Sequence, residues 1–270
     1  VAGASLQMRT NLVTIPAIAA PRVPAAALSD YAARSSGEGG EGGEGEGPNA
    51  SLLSQMVDVL GRAPFGLMPV YRLRIALGLL GIEHESVSVN LLKGEHRAQA
   101  HLARNPQGLV PALEIDGAML TQSVAILEYL HDTRENSTLL PADALGRHRV
   151  RALSHLIAME IHPICNLSIT ARVVELAGGG DELRVAWMKE NIGRGLAALE
   201  TMLGDSRTGT FCHGDTPTMA DICLVPQIYN ARRWGVDLDA VPRIVEIDAA
   251  CNALDAFALA HPDKVGAPAA

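Results

Sequence analysis

The residues best placed to do chemistry lie in one stretch, NPQGLVPALEIDGAMLTQSVAILEYL, residues 105–130. A Val-Pro pair opens a short strand, Val110 to Ile115. Asp116-Gly117 turns the chain, as that pair does in two-residue hairpins. A second short strand follows, and Gln122-Ser123 starts an amphipathic helix. This order sets the free backbone of Val110, before Pro111, beside hydroxyl and amide groups at a helix N-terminus. Such a terminus favours negative charge. The arrangement reads as a site for a small peptide with a carboxylate at one end. The plainer reading of the same residues is an ordinary hairpin followed by a helix.

Other elements must hold that stretch in place. YRLRIALGLLG, from Tyr71, carries Leu73, Ile75, Ala76, Leu77 and Leu80 as a thick apolar face, and Gly81 is placed to end the helix. HESVSVNL alternates strictly and reads as a strand. Residues 95–104 form a short helix or turn. VDVL, residues 57–60, is the best candidate for a first strand. STLLPADALGRHRVRAL then links into a helical half, with helices expected over 144–176, 182–203, 218–231, 242–253 and 254–260. Thr218 is the expected N-cap of the third of these, with Asp221 three positions on as in a capping box.

Composition limits the function classes. The chain has 270 residues, 48% of them hydrophobic, enough for one large or two modest domains. No apolar run approaches the roughly 20 residues that span a bilayer. Net charge is −8, which argues against nucleic acid or an anionic membrane as partner. Cys165, Cys212, Cys223 and Cys251 form no CxxC pair, so a disulfide framework is not expected. The nine histidines lack zinc spacing, and no metal site is expected.

Residues 1–50 read as an extension to the fold. Met8 to Ser36 is rich in Ala, Pro and Ser and carries Arg9, Arg22 and Arg34, in the manner of an organellar transit peptide. A mitochondrial location follows if that reading is correct; cytosol is the default from the cysteine usage. GEGGEGGEGEG, residues 37–47, cannot bury a core and reads as a flexible linker. A chain that opens on Val1 is expected of a fragment or a translated reading frame.

The stretches YRLRIAL, VNLLKGEH, NPQGLVPAL, QSVAILEYL, IHPICNLSI, GDTPTMADICLVPQ and ARRWGVDL resemble the zeta-class glutathione transferases, the maleylacetoacetate isomerase family. Together they span about residues 71–262. The resemblance implies an α/β plus all-α fold: a thioredoxin-like N-terminal domain over 51–135, followed by an all-helical C-terminal domain over 143–263. It implies glutathione as cofactor, a cis Val110–Pro111 bond, a small cis-enoyl diacid as substrate, and a homodimer. The implied glutathione-binding residues are His96, Val110, Pro111, Gln122, Ser123, His162, Asn166, Leu167 and Ser168. Arg233 matches an arginine facing the substrate carboxylate; Arg232 stands beside it, and one of the two reads equally well as a solvated helix charge. Arg72 and Arg74 recur in the family, Arg74 being as readily structural as functional. The implied reaction is cis–trans isomerisation of maleylacetoacetate to fumarylacetoacetate in tyrosine and phenylalanine breakdown. Maleylpyruvate isomerase is the near alternative, small α-halo acids are further substrates, and a glutathione-binding protein with little or no catalysis is the alternative of another class.

One element departs from the family pattern. A serine-rich run precedes the first helix in the family, whereas this chain has Leu67-Met68-Pro69-Val70. None of these side chains can donate a hydrogen bond to sulfur, and Pro69 has no N–H. Tyr71, inside the first helical turn, is a poor substitute. No residue is therefore named as thiol activator. Two accounts compete: the protein has lost the element, or the reading frame is wrong upstream of about Tyr71. The abrupt onset of the similarity favours the second.

Overall fold

The computed structural model describes residues 68–87, 89–91 and 93–264. The expected extension, linker and first strand VDVL lie outside the described residues, as does Leu67.

Helix α1, Met68–Leu79, begins with Pro69 in its first turn, where a missing N–H costs nothing. It ends before Gly81, whose φ of 63° suits a left-handed helix stop. Tyr71, Arg72, Ile75, Ala76 and Leu77 are all buried, so α1 is a core helix. It packs against helices of both halves. At Gly78 a Cβ would sit 3.3 Å from Ala256 Cα, a close helix crossing.

The alternating segment HESVSVNL is not a strand in its described residues. Alternation marks a strand only when a neighbour takes its hydrogen bonds, and no strand neighbour lies beside it among the described residues. A single 3₁₀ turn, Glu95–Arg97, and a one-turn helix α2, Gln99–Leu102, follow as expected. Strands β1, Ala112–Ile115, and β2, Ala118–Thr121, pair antiparallel with Leu113 opposite Leu120. Asp116 and Gly117 both have positive φ, 53° and 73°, as their two-residue turn requires. β1 starts two residues later than expected because Val110 and Pro111 stay outside the ladder. Helix α3, Ser123–Thr133, buries Ile126, Leu127 and Leu130 on one face.

The helical half begins with α4, Ala144–His155, capped by Asp143, whose Oδ1 accepts from the Gly146 N–H at 2.8 Å. A wide π turn, Leu156–Ile161, continues it. The helix expected over 144–176 is thus two helices with a break. Pro163 cannot donate in a helix interior, and Asn166 restarts the chain as an N-cap, its Oδ1 accepting from the Ser168 N–H at 3.0 Å. Helices α5, Leu167–Ala177, and α6, Asp181–Leu203, follow. Gly195 of α6 lets the Ile161 side chain of the π turn lie against the helix backbone. Helix α7, Met219–Arg233, is the central element: every residue from Met219 to Ile228 is buried. Its expected capping box is present, with Asp221 Oδ2 accepting from the Thr218 N–H at 2.8 Å. Helices α8, Pro242–Asn252, and α9, Asp255–Ala260, close the chain. No helix among the described residues is long and apolar enough to cross a membrane.

Candidate functional site

The loop before β1 holds its backbone from several sides. Asn105 Oδ1 accepts from the Gln107 N–H at 3.1 Å, and Asn105 Nδ2 donates to the Leu109 carbonyl at 2.8 Å. His101 Nε2 lies 2.9 Å from the same carbonyl. With Leu109 fixed, the Val110–Pro111 peptide is cis. The Val110 N–H and C=O have no hydrogen-bond partner among the described residues. Two open backbone groups on a braced loop are what an extended peptide needs in order to pair as a strand. Gly108 packs beside them with φ 61°, and a Cβ there would come 3.1 Å from the His96 carbonyl. This contact ties the His96 turn to the loop. His96 Nδ1 is buried without a partner among the described residues, and burial, then Arg97 and His101, push its pKa down. The ring is therefore neutral at pH 7.

The start of α3 is open in the same way. Gln122 takes φ 67° and ψ 103°, a conformation that a residue with a Cβ adopts only when its surroundings impose it. Its side chain does not cap the helix; Nε2 donates to Gln107 Oε1 at 2.8 Å. The first-turn N–H groups of α3 are thus left without a cap from Gln122, at the positive end of the helix dipole. Ser123 is buried, and its Oγ accepts from the Arg72 guanidinium at 3.3 Å. That bond joins α1 to the start of α3. Gln107 was not singled out from sequence; its signal is the position two residues after Asn105, inside the same turn.

Arg72 is 1% exposed, and its Nε and second terminal nitrogen have no partner among the described residues. His162, at the end of the π turn, is half-buried, and burial with help from Arg72 pushes its pKa down to about 3. It is a neutral imidazole whose Nδ1 has no partner among the described residues. Arg72 therefore bonds Ser123, and its charge reaches His162 of the helical half. The Asn166-Leu167-Ser168 run builds local structure, since Asn166 Oδ1 also accepts from the Ser168 hydroxyl at 3.0 Å. Among the described residues no hydrogen bond joins that run to Val110 or Ser123.

The two neighbouring arginines of α7 separate cleanly. Arg232 pairs with the buried Asp248 at 2.7 Å. Arg233 is exposed and makes no ion pair among the described residues. One turn before Arg233, the Tyr229 ring packs edge-on against Tyr71 of α1, with centroids 6.3 Å apart. The face of α7 that carries Arg233 is therefore the face next to the start of α1. Arg74 turns away: its Nε donates to the Ala260 carbonyl at 3.1 Å, which favours a structural role. Met68, Pro69 and Val70 make the first turn of α1. Tyr71 is fully buried, and burial pushes its phenol pKa well up, so it is no source of a phenolate. All four cysteines are free and buried. Among the described residues no cluster of His, Cys, Asp or Glu could hold a metal ion.

Residues 65–132 match the family model for the glutathione S-transferase N-terminal domain, and residues 169–258 match that for its C-terminal domain. The first match begins a few residues ahead of Tyr71. The chain is 61% identical over 194 residues to a maleylacetoacetate isomerase of Rhizobium meliloti, covering 72% of this chain and 91% of that protein. Its structure is similar to that of a bacterial maleylpyruvate isomerase described as a zeta-class glutathione S-transferase. Identity is 44%, the TM-score is 0.72, and the match covers 74% of this chain and 95% of the other. The chain belongs to the zeta-class glutathione transferases. A maleylacetoacetate isomerase of Methylobacterium extorquens, solved with bound malonate and glutathione, is 38% identical with TM-score 0.72, over 76% of this chain and 97% of that one. This transferase thus has a thioredoxin-like N-terminal domain followed by an all-helical one.

Proposed function

We propose that this transferase is a glutathione-dependent cis–trans isomerase that converts maleylacetoacetate to fumarylacetoacetate in tyrosine and phenylalanine catabolism. Its close identity to the Rhizobium meliloti maleylacetoacetate isomerase carries the reading. Bound glutathione supplies a thiolate that adds to the cis double bond, leaves a single bond free to rotate, and departs.

The chain's own residues bind, orient and neutralise charge. The Val110 N–H and C=O pair with the cysteinyl backbone, with Pro111 fixing the loop. Ser123 and the first N–H groups of α3 take the γ-glutamyl carboxylate, and Gln122 is braced beside them by Gln107. His96 contacts the tripeptide from its turn. His162, Asn166, Leu167 and Ser168 line the site from the helical half, His162 as a neutral hydrogen-bonding group. Arg233 holds the substrate carboxylate and stabilises the enolate charge that develops, because its fork stays charged at every working pH. In this assignment residues 51–135 bind glutathione and residues 143–263 bind substrate. The protein acts as a homodimer in the cytosol. The mitochondrial alternative rested on residues 8–36, which lie outside the described residues.

A second reading, maleylpyruvate isomerase, is favoured by the solved maleylpyruvate isomerase that this chain resembles. Side-by-side steady-state assays with glutathione decide between them. The proposal expects the higher kcat/KM on maleylacetoacetate; a higher value on maleylpyruvate reverses the assignment. Glutathione affinity with no turnover on either acid would establish a binding protein, the outcome that Met68-Pro69-Val70 favours.

A further inference from the structure

We propose that Arg72 is a positioning residue that aims the Ser123 hydroxyl at the carboxylate end of the bound peptide and draws that carboxylate in as its missing counter-charge. The inference rests on the glutathione reading of Ser123 and adds a residue that does not touch the ligand.

The geometry starts from the one hydrogen bond that Arg72 makes among the described residues, from a terminal nitrogen to Ser123 Oγ at 3.3 Å. A serine hydroxyl has one hydrogen to donate and two acceptor positions. Arg72 can only donate. The contact therefore uses an acceptor position of Oγ and leaves the single O–H free. Ser123 is the first residue of α3, whose leading N–H groups have no intrahelical partner. A free O–H beside them completes a set of donors facing one anion. Without Arg72 the hydroxyl could rotate and act as an acceptor there.

Charge points the same way. Arg72 is 1% exposed and makes no ion pair among the described residues. A guanidinium buried without an anion is costly, and native chains pair or solvate such groups. Its neighbours do not supply the anion. Burial holds the Cys223 thiol protonated and His162 neutral. Both remaining guanidinium nitrogens lack partners among the described residues. A carboxylate held on Ser123 would place a negative charge one hydrogen bond away, in a region where charges are weakly screened.

Isothermal titration with glutathione and with 4-aminobutyryl-cysteinyl-glycine, which lacks only the γ-glutamyl α-carboxylate, tests this. Wild type is expected to prefer glutathione. Arg72→Met should lose about tenfold of that preference, the value of one hydrogen bond to a charged group. Its affinity for the shortened peptide should stay near wild type. The same substitution should cost less preference in a Ser123→Ala background, because the two residues act through one hydroxyl. If Arg72→Met does not fold, Arg72→Lys replaces it. Its shorter ammonium keeps the charge but not the Oγ contact, so a smaller loss of the same preference is expected. Undiminished preference in either folded variant overturns the proposal, and so does an equal loss for both peptides, which marks a merely structural arginine. Wild type with no preference would overturn the Ser123 assignment as well, so the two failures are distinguishable.

Discussion

Arg232→Ala and Arg233→Ala should separate a structural arginine from a chemical one at adjacent positions of one helix. Arg232 reaches Asp248 at 2.7 Å, and the Asp248 side chain is only 4% exposed. Asp248 keeps a second partner when Arg232 is removed, since Asn252 Nδ2 donates to its Oδ1 at 3.0 Å. Arg232 is itself half exposed, so the pair is partly screened. The loss is therefore well below that of a fully buried pair, about 1–2 kcal/mol. For a chain of this size that lowers Tm by roughly 2–8 °C. Burial already raises the Asp248 pKa, and Arg232 opposes the rise. The penalty comes from the ionised carboxylate, so it should shrink as pH falls and Asp248 takes up a proton. kcat/KM should change little. Arg233 has no ion pair to lose among the described residues, so its removal should leave Tm in place. It should remove a charged hydrogen bond to the substrate carboxylate, about 1.5–3 kcal/mol. At 1.4 kcal/mol per decade, kcat/KM falls roughly ten- to a hundred-fold. Thermal melts at two pH values and initial rates on both variants check the pair. An Arg233→Ala enzyme with wild-type kcat/KM refutes the assignment. So does an Arg232→Ala enzyme that loses activity with its Tm unmoved.

Further outcomes follow from the same geometry. Ser123→Ala should weaken glutathione binding about tenfold, measured by titration, because a hydroxyl donor to a carboxylate is lost; wild-type affinity would remove Ser123 from the site. His162 has a folded pKa of about 3 and an ordinary unfolded one, so the unfolded chain binds the extra proton between them. Stability from this residue is present above the unfolded value and lost as pH falls toward 3. His162→Gln should flatten the acid arm of the denaturant-unfolding stability curve by up to one proton, and an unchanged slope would contradict the burial of the ring. Gly195→Ala would drive a Cβ into the Ile161 side chain. Overpacking of that kind costs about 1–3 kcal/mol, visible as a lower Tm, and an unshifted Tm would show that the π turn gives way freely.

Short local devices were more legible in the sequence than the elements that span longer stretches. Asp116-Gly117 and the Thr218–Asp221 box are local devices, complete within a few residues, and both appear as expected. The Val110–Pro111 bond is cis, as the family resemblance implied. HESVSVNL failed as a strand because alternation describes one edge of a ladder and says nothing of the other. The helix over 144–176 failed because apolar periodicity outweighed Pro163 and the capping capacity of Asn166. Asn166 was read as a ligand contact, and what it visibly does is hold the start of α5. The choice between Arg232 and Arg233 could not be made along the chain, because it depends on Asp248, a residue of the next helix. The importance of Arg72 was hidden for the same reason. Charge on a helix usually faces solvent, and only tertiary packing turns this one inward against Ser123.

Although Met68-Pro69-Val70 at the start of α1 offers no side-chain donor to a thiolate, this chain is expected to be a working isomerase. The direct measurement is isomerisation of maleylacetoacetate with and without glutathione, by the chain as it stands and by a version carrying Ser-Ser-Ala-Ser at positions 67–70. Glutathione-dependent formation of fumarylacetoacetate by the unaltered chain is the expected result, and means that open backbone groups and arginines suffice. Activity in the replaced version alone would place the activating element outside this chain. Folded protein that binds glutathione yet isomerises nothing in either version would contradict the account.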